Sequence, residues 1–166
     1  MTLSDAQLAT LATAPLRRLL SIAGNMTARQ WTRVMADQHG LSAAGAAILV
    51  LLAAGHDGDF PTDRQGRATH GDLARRSWIR PATLTGIVDT LVRGGLVERV
   101  RDDADRRIVW ITLTPLGRER AGQIYGDLQK AFVRTRVEDD PVKAAIVREY
   151  LTELITTYHA EETRDG

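Results

Sequence analysis

The chain has no cysteine among its 166 residues. Disulfides, thiolate metal centres and cysteine-based redox sensing are thereby excluded. Long apolar runs are missing too: none approaches the roughly 18 residues of a membrane span, and the stretch Ala43 to Ala54 suits a buried helix instead. Residues 1–15 lack a basic start followed by an apolar core, so no secretory signal is read there. A cytoplasmic protein with no membrane partner is expected. There is no Gly-x-Ser-x-Gly and no phosphate-cradling glycine loop, so the chain is not expected to be an enzyme, and no cofactor or metal is implied. Internal repeats and low-complexity stretches are absent.

Net charge is also nearly absent, at +1, but its distribution is uneven. Residues 64–107 hold ten arginines against six acids, a net of +4, and residues 108–137 add +3. Residues 138–166 carry −5 and residues 1–63 carry −1. The positive charge therefore lies in the middle of the chain, the pattern of a localised polyanion-binding face. Almost all of it is arginine, whose planar fork suits bidentate contacts with phosphates and base edges.

The first helix is expected from about Pro15 to Gln38, with Leu16, Leu19, Leu20, Ala23, Met26, Gln30, Val34 and Asp37 along one face. Gly40 stops it and Ser42 can cap a nearly all-apolar helix over Ala43–Ala54. Residues 55–66 read as a loop by composition. Thr69, with Asp72 three residues on, signals a capping box for a helix running to about Ser77. After a short turn, Pro81 opens another helix, whose Leu84, Ile87, Val88, Leu91 and Val92 share a buried face and which Gly94-Gly95 ends. Two runs rich in β-branched residues, Leu96–Val100 and Ile108–Leu113, flank a charged turn with three Asp and three Arg, and so predict a hairpin. Thr114-Pro115 and Asp140-Pro141 start two further helices.

Two short helices across a tight turn, followed by a charged hairpin, make a winged helix-turn-helix over about residues 69–114. In that geometry the second helix enters the major groove of duplex DNA with its N-terminal half against base edges. Its solvent face holds Arg80, Ala82, Thr83, Thr85, Gly86, Asp89 and Thr90. Arg80 can reach guanine or phosphate, and Thr83 and Thr85 can bond bases or touch a thymine methyl. Arg75 and Arg76 add positive charge from the preceding helix, although each alone reads equally well as a solvated side chain. The wing brings Arg106 or Arg107 to the adjacent minor groove. Asp105, two residues before Arg107 and so on the same strand face, can hold that guanidinium.

Gly71-Asp-Leu-Ala-Arg-Arg76, Thr83-Leu-Thr85, Ile87-Val-Asp-Thr-Leu91, Gly95-Leu-Val-Glu-Arg99, Asp102-Asp-Ala-Asp-Arg-Arg107 and Ile111-Thr-Leu-Thr-Pro-Leu-Gly117 together resemble the MarR family of bacterial transcription regulators. The resemblance is dense over about residues 69–120, and its most specific part is Asp105 and Arg107 ahead of Leu113-Thr114. It implies a mainly α fold with a small β-hairpin wing and terminal dimerisation helices. Residues 1–41 would be an N-terminal dimerisation region, 42–114 the DNA-binding domain and 115–166 the C-terminal dimerisation helices. It further implies a homodimer on a pseudopalindromic operator in double-stranded DNA, usually repressing, and released by a small and often phenolic or anionic effector. The minor-groove arginine carries over to Arg107 and its buttress to Asp105. Gly86 departs from the pattern, since many members have a basic residue there, and the 55–68 loop is longer than usual.

The effector pocket implied by the resemblance lies between the dimerisation helices and the reading head. Arg29, Trp31, Met35 and His39 are its candidates, with Trp78 and Tyr125 as further ones, and an aromatic acid is the expected ligand. Trp31 is better read as core or interface packing than as a ligand wall, and His39 either bonds a carboxylate effector or satisfies a backbone carbonyl. His56, Asp57, Asp59, Asp63 and His70 form the one metal-like cluster, in a spacing that matches no known loop and is better read as solvated. The alternative to a DNA-binding regulator is a winged-helix module used only for protein contacts.

Overall fold

The computed structural model describes residues 4–54 and 66–164. Helix α1 (Asp5–Ala12) was not expected. Its signal is a capping box: Gln7 N–H donates to Ser4 Oγ at 3.3 Å while Ser4 N–H donates to Gln7 Oε1 at 2.9 Å. Helix α2 (Leu16–Val34) continues into a π-helical turn, Met35–His39, which Gly40 closes at φ +62°. That span agrees with the expected first helix. In α3 (Ala43–Ala54), Ser42 Oγ accepts the Gly45 N–H at 3.0 Å, the cap expected from sequence. Residues 55–65, which hold most of the loop and most of the metal-like cluster, lie outside the described residues.

The next elements are β1 (Ala68–Thr69), α4 (His70–Ser77), α5 (Pro81–Arg93), β2 (Val97–Arg101), β3 (Val109–Leu113) and α6 (Pro115–Ala131). Thr69 and Asp72 form the anticipated capping box at the start of α4. The hairpin β2–β3 is antiparallel, with Arg99 opposite Ile111 and Val100 opposite Trp110. Strand β1 makes it a three-stranded sheet in the order β1-β3-β2, with Thr69 opposite Trp110. Two residues are too short to show alternation, so sequence pattern could not reveal β1.

One core joins these elements. Ile48, Leu49, Leu73, Leu84, Val88, Leu91, Val97, Ile111 and Ile124 are all buried within it. Each such side chain contributes on the order of 2 kcal/mol by leaving water. The buried face of α5 is the one its spacing implied, and α3, apolar all round, runs through the centre. Met35 belongs to this core and is fully buried, and Trp31 Nε1–H donates to the Ala43 carbonyl at 3.1 Å, tying α2 to the start of α3.

The chain divides into two compact units after Ala131. The second contains α7 (Pro141–Arg164), where Asp140 Oδ1 accepts the N–H groups of Val142 and Lys143. Val142, Ile146, Val147, Ile155 and Tyr158 of α7 are exposed in the single chain. Among the described residues no single helix is long and apolar enough to cross a membrane; α2 with its π-helical turn and α3 pass that test only as a pair, bent by 83°.

Candidate nucleic-acid interface

Helices α4 and α5 meet at the turn Trp78–Arg80. Trp78 closes α4 in the left-handed conformation (φ +56°) and is 62% exposed. Among the described residues it is the one non-glycine at positive φ, a conformation disfavoured for a side chain of that size. Arg80 is the N-cap of α5 and is exposed. Thr83 and Thr85 are exposed on the same helix. Thr85 Oγ1 donates to the Pro81 carbonyl at 3.1 Å and lies 3.2 Å from His70 Nε2, so a base bonded by Thr85 must share or displace these partners. Gly86 is open, with nothing within 4 Å of where a Cβ would sit. The face of α5 is thus short of cations but permits close approach.

The two arginines of α4 differ. Arg75 is exposed and pairs with Asp72. Arg76 turns inward, with its three guanidinium nitrogens out of contact with solvent. Burial lowers its pKa, and the Asp72 charge opposes that shift. An inward guanidinium cannot meet DNA without moving, so Arg76 is better read as a support for α4. The signal was present in the spacing, since Arg76 stands three residues from buried Leu73 on the inner helical face. At Asp72 itself, burial raises the pKa, but the bonds from Thr69 and the charges of Arg75 and Arg76 bring it below the ordinary carboxylate range.

The wing tip carries the most constrained cation of the site. Asp105 Oδ1 accepts the Arg107 backbone N–H at 3.0 Å and its Nε–H at 3.1 Å, while Oδ2 accepts from Nη2 at 3.2 Å. Arg107 is nevertheless 91% exposed along its side chain. Arg106 is exposed beside it. The turn is closed by Asp102 N–H to the Ile108 carbonyl at 3.0 Å and Ile108 N–H to the Asp105 carbonyl at 2.9 Å. Sequence reasoning missed a link between wing and reading helix: Arg99 on β2 bonds Asp89 on α5 at 2.6 Å.

The Asp105 pKa is lowered chiefly by the Arg107 side-chain bond, and that of Asp102 chiefly by the bond from the Trp110 indole. Depressed carboxylates stabilise the fold at pH above their unfolded-state pKa, and that contribution disappears as the pH falls through the lower folded-state value. The wing is therefore expected to keep its order from pH 8 to pH 5 and to loosen only below about 4, near the ordinary carboxylate pKa. The Trp110 indole N–H resonance reports this directly, and its loss between pH 7 and 5 would contradict the assignment.

The effector candidates lie on several elements. Met35 and Trp31 are committed to the core, Arg29 is exposed on α2, Tyr125 is exposed on α6, and Trp78 lies at the helix-turn-helix turn. His39, only 4% exposed, sits in the π-helical turn with Nε2 3.3 Å from Asp127 Oδ2 of α6, and Lys130 Nζ lies 3.2 Å from the other carboxylate oxygen. Beside this pair is a cleft of about 320 Å³ lined by Gln30, Arg33, Asp37, Gln38, Asp127 and Lys130. None of these six was singled out from sequence as an effector contact, although Gln30 and Asp37 were placed on one face of the first helix, because they converge from α2, its π-helical extension and α6. Among the described residues no three His, Asp or Glu side chains gather as a metal site.

Residues 63–109 match the family model described as "MarR family". The crystal structure of AbsC, a MarR family transcriptional regulator from Streptomyces coelicolor, has a similar fold over 96% of this chain and 99% of that one, with a TM-score of 0.71 and 19% identity. The chain is thus similar to the MarR family over its helix-turn-helix and wing. Its MarR family match takes in α4, the turn, α5, β2 and the wing tip. The HTH-type transcriptional repressor YetL of Bacillus subtilis is 37% identical over 84 residues, which are 51% of this chain and 46% of YetL. CouR from Rhodococcus jostii RHA1, solved with p-coumaroyl-CoA bound, is 26% identical with a TM-score of 0.64, covering 82% of this chain and 86% of CouR. The chain spans between 46% and 63% of the lengths of three curated relatives that it matches.

Proposed function

We propose that the chain is a sequence-specific DNA-binding transcriptional regulator: a homodimer that represses from a pseudopalindromic operator and is released by a small effector. The observation that carries this reading is Arg107, a nearly fully exposed arginine that a neighbouring carboxylate nonetheless holds in one pose. It stands at the tip of a hairpin beside a helix whose exposed N-terminal half offers Arg80, Thr83 and Thr85. A fixed, solvent-facing cation is of little use to the fold, because exposed pairs contribute at most about 1 kcal/mol. It is well suited to a narrow minor groove while α5 occupies the major groove. The exposed apolar side chains of α7 favour a second copy as their cover, and the relative YetL is a transcriptional repressor.

Selection of bound sequences from random duplexes, followed by gel shift at several salt concentrations, tests the reading. A two-fold symmetric site should emerge, with affinity that falls linearly in log[salt]. Absence of any enriched sequence would overturn it. Thr85→Ala is expected to change base preference at one position per half-site while leaving non-specific affinity and Tm nearly unchanged.

The cleft at the π-helical turn is the proposed effector site. Arg33 and Lys130 supply cations for a carboxylate, and the aromatic acyl ligand of CouR favours an aromatic acid. A thermal-shift series should show stabilisation by such acids that Arg33→Ala abolishes. Equal stabilisation of both proteins would place the ligand elsewhere.

A further inference from the structure

Arg107 is held by Asp105, but Asp105 can hold a pose only if it is itself held. Its backbone N–H donates to Asp102 Oδ1 at 2.9 Å, and the Ala104 N–H donates to the same oxygen at 2.9 Å. The other oxygen of Asp102 accepts the Trp110 indole N–H at 2.7 Å. The Asp102 carboxylate thus joins the turn to strand β3. Trp110 is fixed in turn by pairing with Val100 on one side and Thr69 on the other. The Arg67 guanidinium lies 4.8 Å from the centre of its ring, within cation–π range. Arg67 immediately precedes β1, so the short third strand delivers this cation to the ring.

We infer that Arg67, Trp110 and Asp102 form a brace that positions Arg107 for the minor groove, with Trp110 and Asp102 as positioning residues that do not themselves touch DNA. This rests on the DNA-binding reading above. The physical logic is preorganisation. An exposed arginine on a seven-residue tip loses much rotamer and loop freedom when it enters a groove, and that loss weakens binding unless it is already incurred in the free protein. Each tier of the brace removes one freedom. The β3 register fixes the indole, the indole fixes Asp102, Asp102 fixes the turn through the amides of Ala104 and Asp105, and Asp105 fixes Arg107. Neither Trp110 nor Asp102 is needed for this by the core, which Ile111 and Leu113 already fill from β3. Asp102 places an acid near DNA, which makes sense only if the acid works through the turn and is neutralised by its own donors.

The test is a double-mutant cycle on the full chain with its selected operator, using Trp110→Phe and Arg107→Ala alone and together. Trp110→Phe keeps a ring for Arg67 but removes the indole donor. It should weaken operator binding about threefold to tenfold, the size of one lost hydrogen bond. In the Arg107→Ala background the same change should cost nothing, because the brace then has nothing to position. An equal loss in both backgrounds, or no loss in either, overturns the proposal. Should Trp110→Phe fold poorly, Asp102→Asn and Arg67→Gln are expected to show the same non-additivity. Backbone amide order at residues 104–108, measured by NMR without DNA, separates the two layers. It should fall in Trp110→Phe whether or not the protein binds DNA, and unchanged order there overturns the brace. Failure of the wild-type chain to bind any DNA while order falls as expected sinks the DNA reading alone.

Discussion

Gly117→Ala is expected to destabilise the first compact unit by roughly 3 kcal/mol or more, lowering Tm by about 10 °C or abolishing soluble expression. A Cβ built on Gly117 would lie 1.8 Å from the Leu96 carbonyl oxygen, 2.9 Å from its carbon and 3.3 Å from Leu113 Cδ2. The blocking atom is backbone, and it is engaged: the Leu96 oxygen accepts the Thr114 N–H at 3.1 Å. The Thr114 hydroxyl in turn donates to the Gly95 carbonyl at 2.7 Å and accepts the Gly117 N–H at 3.0 Å, capping α6. Making room for one methyl therefore means lifting α6 from the base of the wing and breaking a cap, which alone is worth about 1 kcal/mol. Against a typical total of about 5–15 kcal/mol, that loss is large. Circular dichroism melting checks it, and a variant with wild-type Tm would show that α6 does not seat on Leu96 as described.

Arg107→Ala has the opposite profile. The side chain is almost wholly exposed, so Tm should change by no more than a degree or two. Operator affinity should fall about 10-fold to 100-fold, the scale of a specific arginine contact. Part of that loss has a separate origin. Without its guanidinium, Asp105 presents an unneutralised carboxylate beside the phosphates. The double variant Asp105→Ala with Arg107→Ala should therefore bind better than Arg107→Ala alone. Gel shift at fixed salt with matched operator and scrambled duplexes measures both effects, and unchanged affinity in Arg107→Ala would remove the wing from the interface.

Much of the reading unit is legible from local chemistry. The Thr69–Asp72 capping box, Pro81 at the first turn of α5 and Gly40 after the π-helical turn are short-range signals, and each does in three dimensions what its chemistry implies. The buried face of α5 follows from 3.6-residue spacing. Asp105 and Arg107 are two residues apart on an extended segment, so their pairing was visible as well. The motif ending at Gly117 was visible only as a resemblance; its physical reason, a backbone carbonyl in van der Waals contact, comes from Leu96, 21 residues earlier. Helix α1 went unread although Ser4 and Gln7 form its capping box. The effector candidates were drawn from the resemblance and from residue type, and neither distinguishes Met35, which is buried in the core, and Trp31, which packs against it, from Arg33 and Lys130, which line a cleft.

The sequence by itself determined that a winged helix-turn-helix forms around residues 69–114, which faces of α3 and α5 are apolar, and that a cation sits at the wing tip beside an acid. These depend on neighbours within four residues, and so on spacing. Only the tertiary structure decided which cations of the basic stretch are presented. Arg99 is tied to Asp89 and Arg67 lies over Trp110, while Arg107 stays 91% exposed along its side chain. The physical reason is that exposure depends on the groups that come to lie against a side chain, and for Arg99 and Arg67 those groups, Asp89 of α5 and Trp110 of β3, arrive from other elements of the fold.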